Sequence, residues 1–179
     1  MSRTLNILSA GAAQGLVTAL QPAFEVQHDC RVQGRFGAVG AMKEALLAGT
    51  PCDLMVLSEA LVDGLVAEGR LRGDARAPLG RVRTGIAVPA GRPRPDVGTP
   101  EALRAALLQA EAIYLPDPQR ATAGIHFARV LQALGIADDL RPRLQAHPNG
   151  ATAMAAMAAS GPAGAIGCTQ VTEILYTAG

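Results

Sequence analysis

Leu5-Asn6-Ile7-Leu8-Ser9-Ala10-Gly11-Ala12-Ala13 is the stretch that decides the fold. A short apolar run breaks into small residues, which reads as a buried strand, a tight turn and a helix from about Ala12 to Ala23. The same order recurs twice. Arg31 to Phe36 alternates and reads as a strand, followed by the turn Gly37-Ala38-Val39-Gly40. A helix then carries Met42, Ala45, Leu46 and Leu47 as its buried stripe, with Gly49 as its stop. Asp53 to Leu57 is apolar without alternation and is expected to be covered on both faces. Ser58 is placed to cap the helix of Leu61, Leu65 and Val66. Three strand-helix steps within about seventy residues predict an α/β fold with a mostly parallel sheet flanked by helices. Ligands in such sheets gather where strands end and helices begin.

The stretch from Leu71 to Arg81 reads as a loop and Val82 to Val88 as a strand. Pro89-Ala90-Gly91-Arg92-Pro93-Arg94-Pro95 then breaks regular structure and leads into a second lobe. There, Thr99-Pro100-Glu101 opens a capped helix and Ala112 to Leu115 reads as a strand. Ala121-Thr122-Ala123-Gly124 enters a helix stopped by Gly135, and Asp138 starts a short one. The Ala- and Met-rich run from Asn149 to Ser160 is helical. Ala163 to Gly167 reads as a strand, and Thr169 as the cap of a last helix.

Composition narrows the function. Of 179 residues 49% are hydrophobic and 17% charged, so a core can be buried and the chain is not of the disordered class. The net charge of +1, with no basic block, argues against nucleic acid as a partner. Aromatics are 3% and Trp is absent, which argues against base or sugar stacking. Cys30, Cys52 and Cys168 are too sparse for a disulfide framework and read as small buried residues. His28 with Cys30 and Cys52 lacks the two tight pairs of a zinc site, so no metal or cofactor is expected. The start of the chain lacks the order of a secretion leader. A cytoplasmic location is therefore expected as written, and a periplasmic one if a leader precedes it.

Gly11-Ala12-Ala13-Gln14-Gly15 lacks the middle glycine of a dinucleotide fingerprint, and no phosphate-loop lysine follows. A turn whose free amides face an anion is the better reading. The turns at Ala38 and Thr122 have the same form, because small side chains let a ligand approach the backbone closely. No nucleophile and base stand in a recognisable frame, so no catalytic residue is assigned and the chain is not expected to be an enzyme.

Five segments carry a family resemblance: Ser9 to Ala13, Phe36 to Ala41, Gly49 to Val56, Asp117 to Ile125, and Gly164 to Cys168. Taken in order, the chain resembles the molybdate-binding proteins of ABC transporters, which have the type II periplasmic binding protein fold. The resemblance implies two lobes, one of residues 1–80 plus 168–179 and one of residues 81–167, with chain crossings near 81–90 and 163–170. It implies a small anion held between the lobes and delivered to ABC transporter membrane subunits. The family's hydroxyl donors would fall on Ala12, on Ala38 or Val39, and on Cys168, and its backbone donors near Ala123 and Ala151.

None of the three donor positions carries a hydroxyl, and a charge-assisted hydrogen bond is worth about 1.5–3 kcal/mol. A small organic acid therefore fits as well as molybdate. Ser9, Gly11, Ser58, Thr122, Thr152, Thr169 and Gln170 complete the candidate ligand-binding set. Family members run on past the last helix to complete the first lobe. If this chain is complete at Gly179, exposed apolar surface would favour a homo-oligomer. The alternatives are a stand-alone ligand-sensing module of the same fold and, second, an enzyme on this scaffold, which would require His126 or Cys168 at a perturbed pKa.

Overall fold

A computed structural model describes residues 3–177. They form two compact units that divide at Val82 and Arg83.

In the first unit, β1 (Arg3–Ala10) leads through a single 3-10 turn (Gly11–Ala13) into α1 (Gln14–His28). β2 (Cys30–Gly37), α2 (Val39–Leu47), β3 (Leu54–Val56) and α3 (Glu59–Ala67) follow. The sheet order is β2-β1-β3 and both pairings are parallel. Ser9 lies level with Phe36 on one side and Val56 on the other, so all three strands end at one edge.

Apolar packing here is concentrated under α2, where Leu8, Met42 and Ala45 are buried. Helix α1 buries none of its residues and leaves Leu16, Leu20 and Phe24 exposed along one side. Polar ties hold it instead. The Glu25 carboxylate accepts from the Val32 amide at 2.7 Å and from Gln21 Nε2 at 2.9 Å, and Gln21 also donates to the Val32 carbonyl. These bonds hold the Glu25 carboxyl below the usual range, the Val32 amide foremost. A second tie sets the β1–β3 register. Asp53 Oδ2 accepts from both the amide and the side chain of Asn6, at 2.8 and 2.9 Å, while the Asp53 amide donates to the Asn6 carbonyl.

Four sequence expectations change in this unit. β3 is an edge strand and Leu54 is 46% exposed, so it is not covered on both faces. Leu47 turns outward at the end of α2, leaving Met42 and Ala45 as the buried stripe. Ser58 sits at the start of α3 in extended backbone but makes no capping bond with its side chain. α1 also runs five residues past Ala23, through Pro22, and ends where Asp29 turns left-handed. The Gly49 stop stands, with φ at +83°.

The second unit holds β4 (Thr84–Ala87), α4 (Pro100–Gln109), β5 (Ala112–Pro116), α5 (Thr122–Ala133) and α6 (Ala137–Leu140). β6 (Leu144–His147), α7 (Gly150–Ser160), β7 (Ala165–Gln170) and α8 (Val171–Thr177) complete it. The sheet order is β4-β7-β5-β6, parallel except for β4. Alternation on β5 feeds two cores. Ile113 and Leu115 pack with Leu107, Phe127, Leu131, Ile136, Leu140 and Cys168. Ala112 and Tyr114 pack on the other face with Ala153, Met154 and Met157. All of β5 is buried, as expected of a central strand with helices on both sides.

β6 was not singled out in the sequence; Gln145 and Ala146 carry little apolar signal, and its edge position explains why. The C-terminal segment also departs from expectation. The expected first lobe took in residues 168–177; they group with the second unit, with β7 between β4 and β5. Residues 1, 2, 178 and 179 of the expected first lobe lie outside the described residues.

The turn from β5 into α5 is closely packed: a Cβ on Gly124 would collide with the carbonyl oxygens of Pro116 and Asp117. Asp117 fixes the turn by accepting from the amides of Gln119 and Arg120 at 2.7 and 3.2 Å. Gly124→Ala is expected to lower stability by about 1–3 kcal/mol, and Leu115→Ala by about 2–5 kcal/mol, in denaturant titrations of the second unit's transition. Asp53 behaves differently. Its carboxyl is held below the usual range, chiefly by the Asn6 amide. Its contribution is present above the unfolded pKa and is lost as pH falls through the folded one. Asp53→Asn is expected to flatten the acid side of the melting-temperature profile, read by circular dichroism.

Candidate functional site

In the first unit the parallel strands deliver their chain ends to one edge of the sheet. Ala10 lies beside Gly37, and Ser9 beside Phe36 and Val56, so the starts of α1, α2 and α3 follow from neighbouring strands. The first four amides of a helix have no partner within it and carry the positive end of the dipole. Side chains usually cap them, but here none does. Ala10, Ala13, Ala38 and Ser58 stand at the four starts, counting the 3-10 turn, and make no side-chain capping bond.

The expected residues fall as follows. Gly11 and Ala38 are buried, and Ala12, Val39 and Ser58 are half-buried. They share the edge where β1, β2 and β3 end. Ser9 is fully buried, and its hydroxyl donates to the adjacent Ala10 carbonyl at 3.0 Å. This edge therefore presents amides in a lining of small residues, with Ser58 as the half-buried hydroxyl.

The second unit has two helix starts beside its strand ends, and they differ. Ala121 precedes α5 without a side-chain cap, Ala123 is buried, and Thr122 is exposed. The start of α7, in contrast, is satisfied from within the chain. Asn149 Oδ1 accepts from the Thr152 amide at 2.9 Å, and the Asn149 amide donates to Thr152 Oγ1 at 3.2 Å, a reciprocal capping box. Thr152 Oγ1 also donates to the Asn149 carbonyl at 2.8 Å.

The Glu173 carboxylate meets the same helix start. It accepts from Thr169 Oγ1 at 2.6 Å, and the amides of Gly150, Ala151 and Gln170 bond to it. Glu173 is only 4% exposed. Its carboxyl is pushed above the usual range by burial, against the pull of those hydrogen bonds. Gly150 is required here, because a Cβ would run into Glu173 Oε2 and Thr169 Oγ1. Thr169 thus bonds Glu173 from within β7 and does not cap α8. Glu173 was not singled out in the sequence. The signal available was an acid three residues into a helix that follows a buried strand.

Cys168 points the other way, into the core with Ile113, Leu115 and Phe127. Burial pushes its thiol up to about 12, so it stays protonated near neutrality and is a poor nucleophile. Gln170 ends β7 half-buried. His126 is exposed on α5, edge-on to Phe127. Tyr114 and His147, on neighbouring strands, stack at 5.7 Å. Among the described residues, no helix is long and apolar enough to cross a membrane.

Comparison with known proteins follows the same lines. The family described as bacterial extracellular solute-binding protein matches residues 5–178. Among solved structures, the periplasmic molybdate-binding protein of Azotobacter vinelandii has 21% identity and a TM-score of 0.76, over 94% of this chain and 72% of that one. The tungstate ABC transporter protein of Geobacter sulfurreducens has 18% identity and a TM-score of 0.71, over 98% and 75%. The sulfate-binding protein SubI of Mycobacterium tuberculosis H37Rv has 19% identity and a TM-score of 0.71, over 98% and 67%. These likenesses establish the fold. A curated relative, an aconitate isomerase of a Pseudomonas species, is 28% identical over 133 residues, which are 72% of this chain and 50% of that protein. This chain spans half that relative's length. It belongs to the bacterial extracellular solute-binding protein family and has the α/β architecture of the type II periplasmic binding proteins.

Proposed function

We propose that the chain captures a small organic anion, with carboxylate as the favoured group, and serves an ABC transporter outside the cytoplasm. The observation that carries this reading is the set of uncapped helix starts at neighbouring strand ends of the first unit, at Gly11, Ala38 and Ser58; in the second unit, taken by itself, the start at Thr122 is also uncapped. Amide hydrogens aimed from a helix start favour negative charge without needing any particular side chain. The solved relatives named above are described as binding molybdate and sulfate or transporting tungstate, all oxyanions. Here Ala12, Ala38 and Val39 supply no hydroxyl for such a ligand. The similarity to an aconitate isomerase favours a carboxylic acid instead.

That similarity also favours a second reading, an isomerase. Against it stands the high pKa of Cys168, which leaves that residue unsuited to attack or proton abstraction near neutrality. Binding without turnover is the simpler account.

Calorimetry and thermal melting against molybdate, tungstate, sulfate, citrate and aconitate test both readings. Citrate or aconitate at a hundredfold excess over its Kd is expected to stabilise the protein by about 2.7 kcal/mol and raise the melting temperature by several degrees. If no anion moves it, anion capture is wrong. Aconitate incubated with the protein is expected to return unchanged by chromatography; its isomerisation would establish the enzyme reading.

A further inference from the structure

The family resemblance implies a backbone donor for the ligand near Ala151, at the α7 start. In this chain the position is already taken. We propose that Glu173 is a resident anion that competes with external anions for the amides of Gly150 and Ala151, an autoinhibitory contact that makes anion binding depend on proton concentration. This inference rests on the anion-capture reading above.

Three observations carry it. First, the carboxylate is seated: Thr169 donates to it at 2.6 Å and the Gly150, Ala151 and Gln170 amides converge on it. Second, the fit is close, since Gly150 leaves no room even for a methyl group between the helix and the carboxylate. Third, no cation shares the site among the elements packed on α8. Helix α7 and strand β4 carry no titratable side chain, and β7 carries only Cys168, a neutral thiol facing the opposite core. α8 itself adds only Tyr176, which is exposed. The nearest flanking charged or titratable residues in sequence are Arg83, before β4, and His147, before α7. Among the described residues of these elements, the charge of Glu173 is balanced by amides, a hydroxyl and helix dipoles.

An external anion at the same amides would meet that charge at close range in a water-poor setting, where like-charge repulsion is strong. Protonation removes the repulsion and weakens the hold of the carboxyl on the amides. Burial raises the Glu173 pKa, so this release begins at higher pH than for an exposed glutamate as the solution is acidified. Acid is thus expected to strengthen anion binding.

Sulfate is the probe, because its own charge is constant from about pH 5 to about pH 8 while carboxyl and imidazole groups titrate. Sulfate affinity of the full chain is measured by calorimetry across that range, beside Glu173→Gln. His126 and His147 are common to both proteins, so their effect cancels in the comparison. Wild-type affinity is expected to fall about tenfold more than that of the variant as pH rises, with the variant the tighter binder at about pH 8.

Equal pH slopes in the two proteins would overturn the competition and leave anion capture standing. Absence of sulfate binding by both, together with no response to the carboxylates above, would overturn capture itself. A measurement on the wild type keeps the test independent of how the variant folds. The Gly150 and Ala151 amide resonances are expected to shift together in one titration step, and again on adding sulfate at about pH 5. Resonances that stay fixed through the pH range would refute the proton-linked release of these amides.

Discussion

Backbone N–H groups at helix starts must bond to something, and in this protein the choice of partner organises both units. At α4 and α7 the chain supplies the partner itself, through Thr99 and Asn149. At α1, α2, α3 and α5 no side chain does so. These last four follow strands that end at a sheet edge or, for α5, the turn after β5. Parallel pairing forces this arrangement, since every crossover helix must begin where its strand finishes. Ala13, Ala38, Ser58 and Ala121 stand at these starts, and none caps with its side chain. Uncapped starts cost helix stability.

The two units solve the packing problem differently. The second buries a helix-covered sheet on both faces, and its central strand β5 has no exposed residue. The first has a small apolar core under α2 and holds α1 with the polar ties Glu25–Val32 and Gln21–Val32. Such bonds are individually modest beside burial of large side chains. The exposed side of α1, with Leu16, Leu20 and Phe24, is the counterpart of that thin core.

Most of the architecture was legible in the sequence because its signals are local. Apolar runs broken by Ser-Ala-Gly or Phe-Gly-Ala marked strand ends, and Gly49 and Gly135 marked helix stops, both at positive φ. What escaped depends on neighbours. Leu54 looked like an interior residue, but whether a strand is central or at an edge is decided by pairing partners far along the chain. Ser58 looked like a cap, yet its side chain makes no such bond. β6 was invisible because an edge strand can form from polar residues. At the candidate site, the small-residue turns were readable as positions. The role of Glu173 was not, because it depends on the start of a helix more than twenty residues earlier in the chain.

The place of β7 in the second sheet bears on how the molecule is made. It lies between β4, which starts at Thr84, and β5, so the middle of that sheet is filled by one of the last strands of the described chain. During synthesis the first unit can assemble as soon as β3 and α3 have left the ribosome. The second must hold β4 and β5 unjoined until residues 165–170 emerge. Until then the β5 edge that will receive β7 is open, exposing Ile113 and unpaired backbone to other chains. Late arrival of a central strand makes this half the slower to fold and the one in need of protection while nascent.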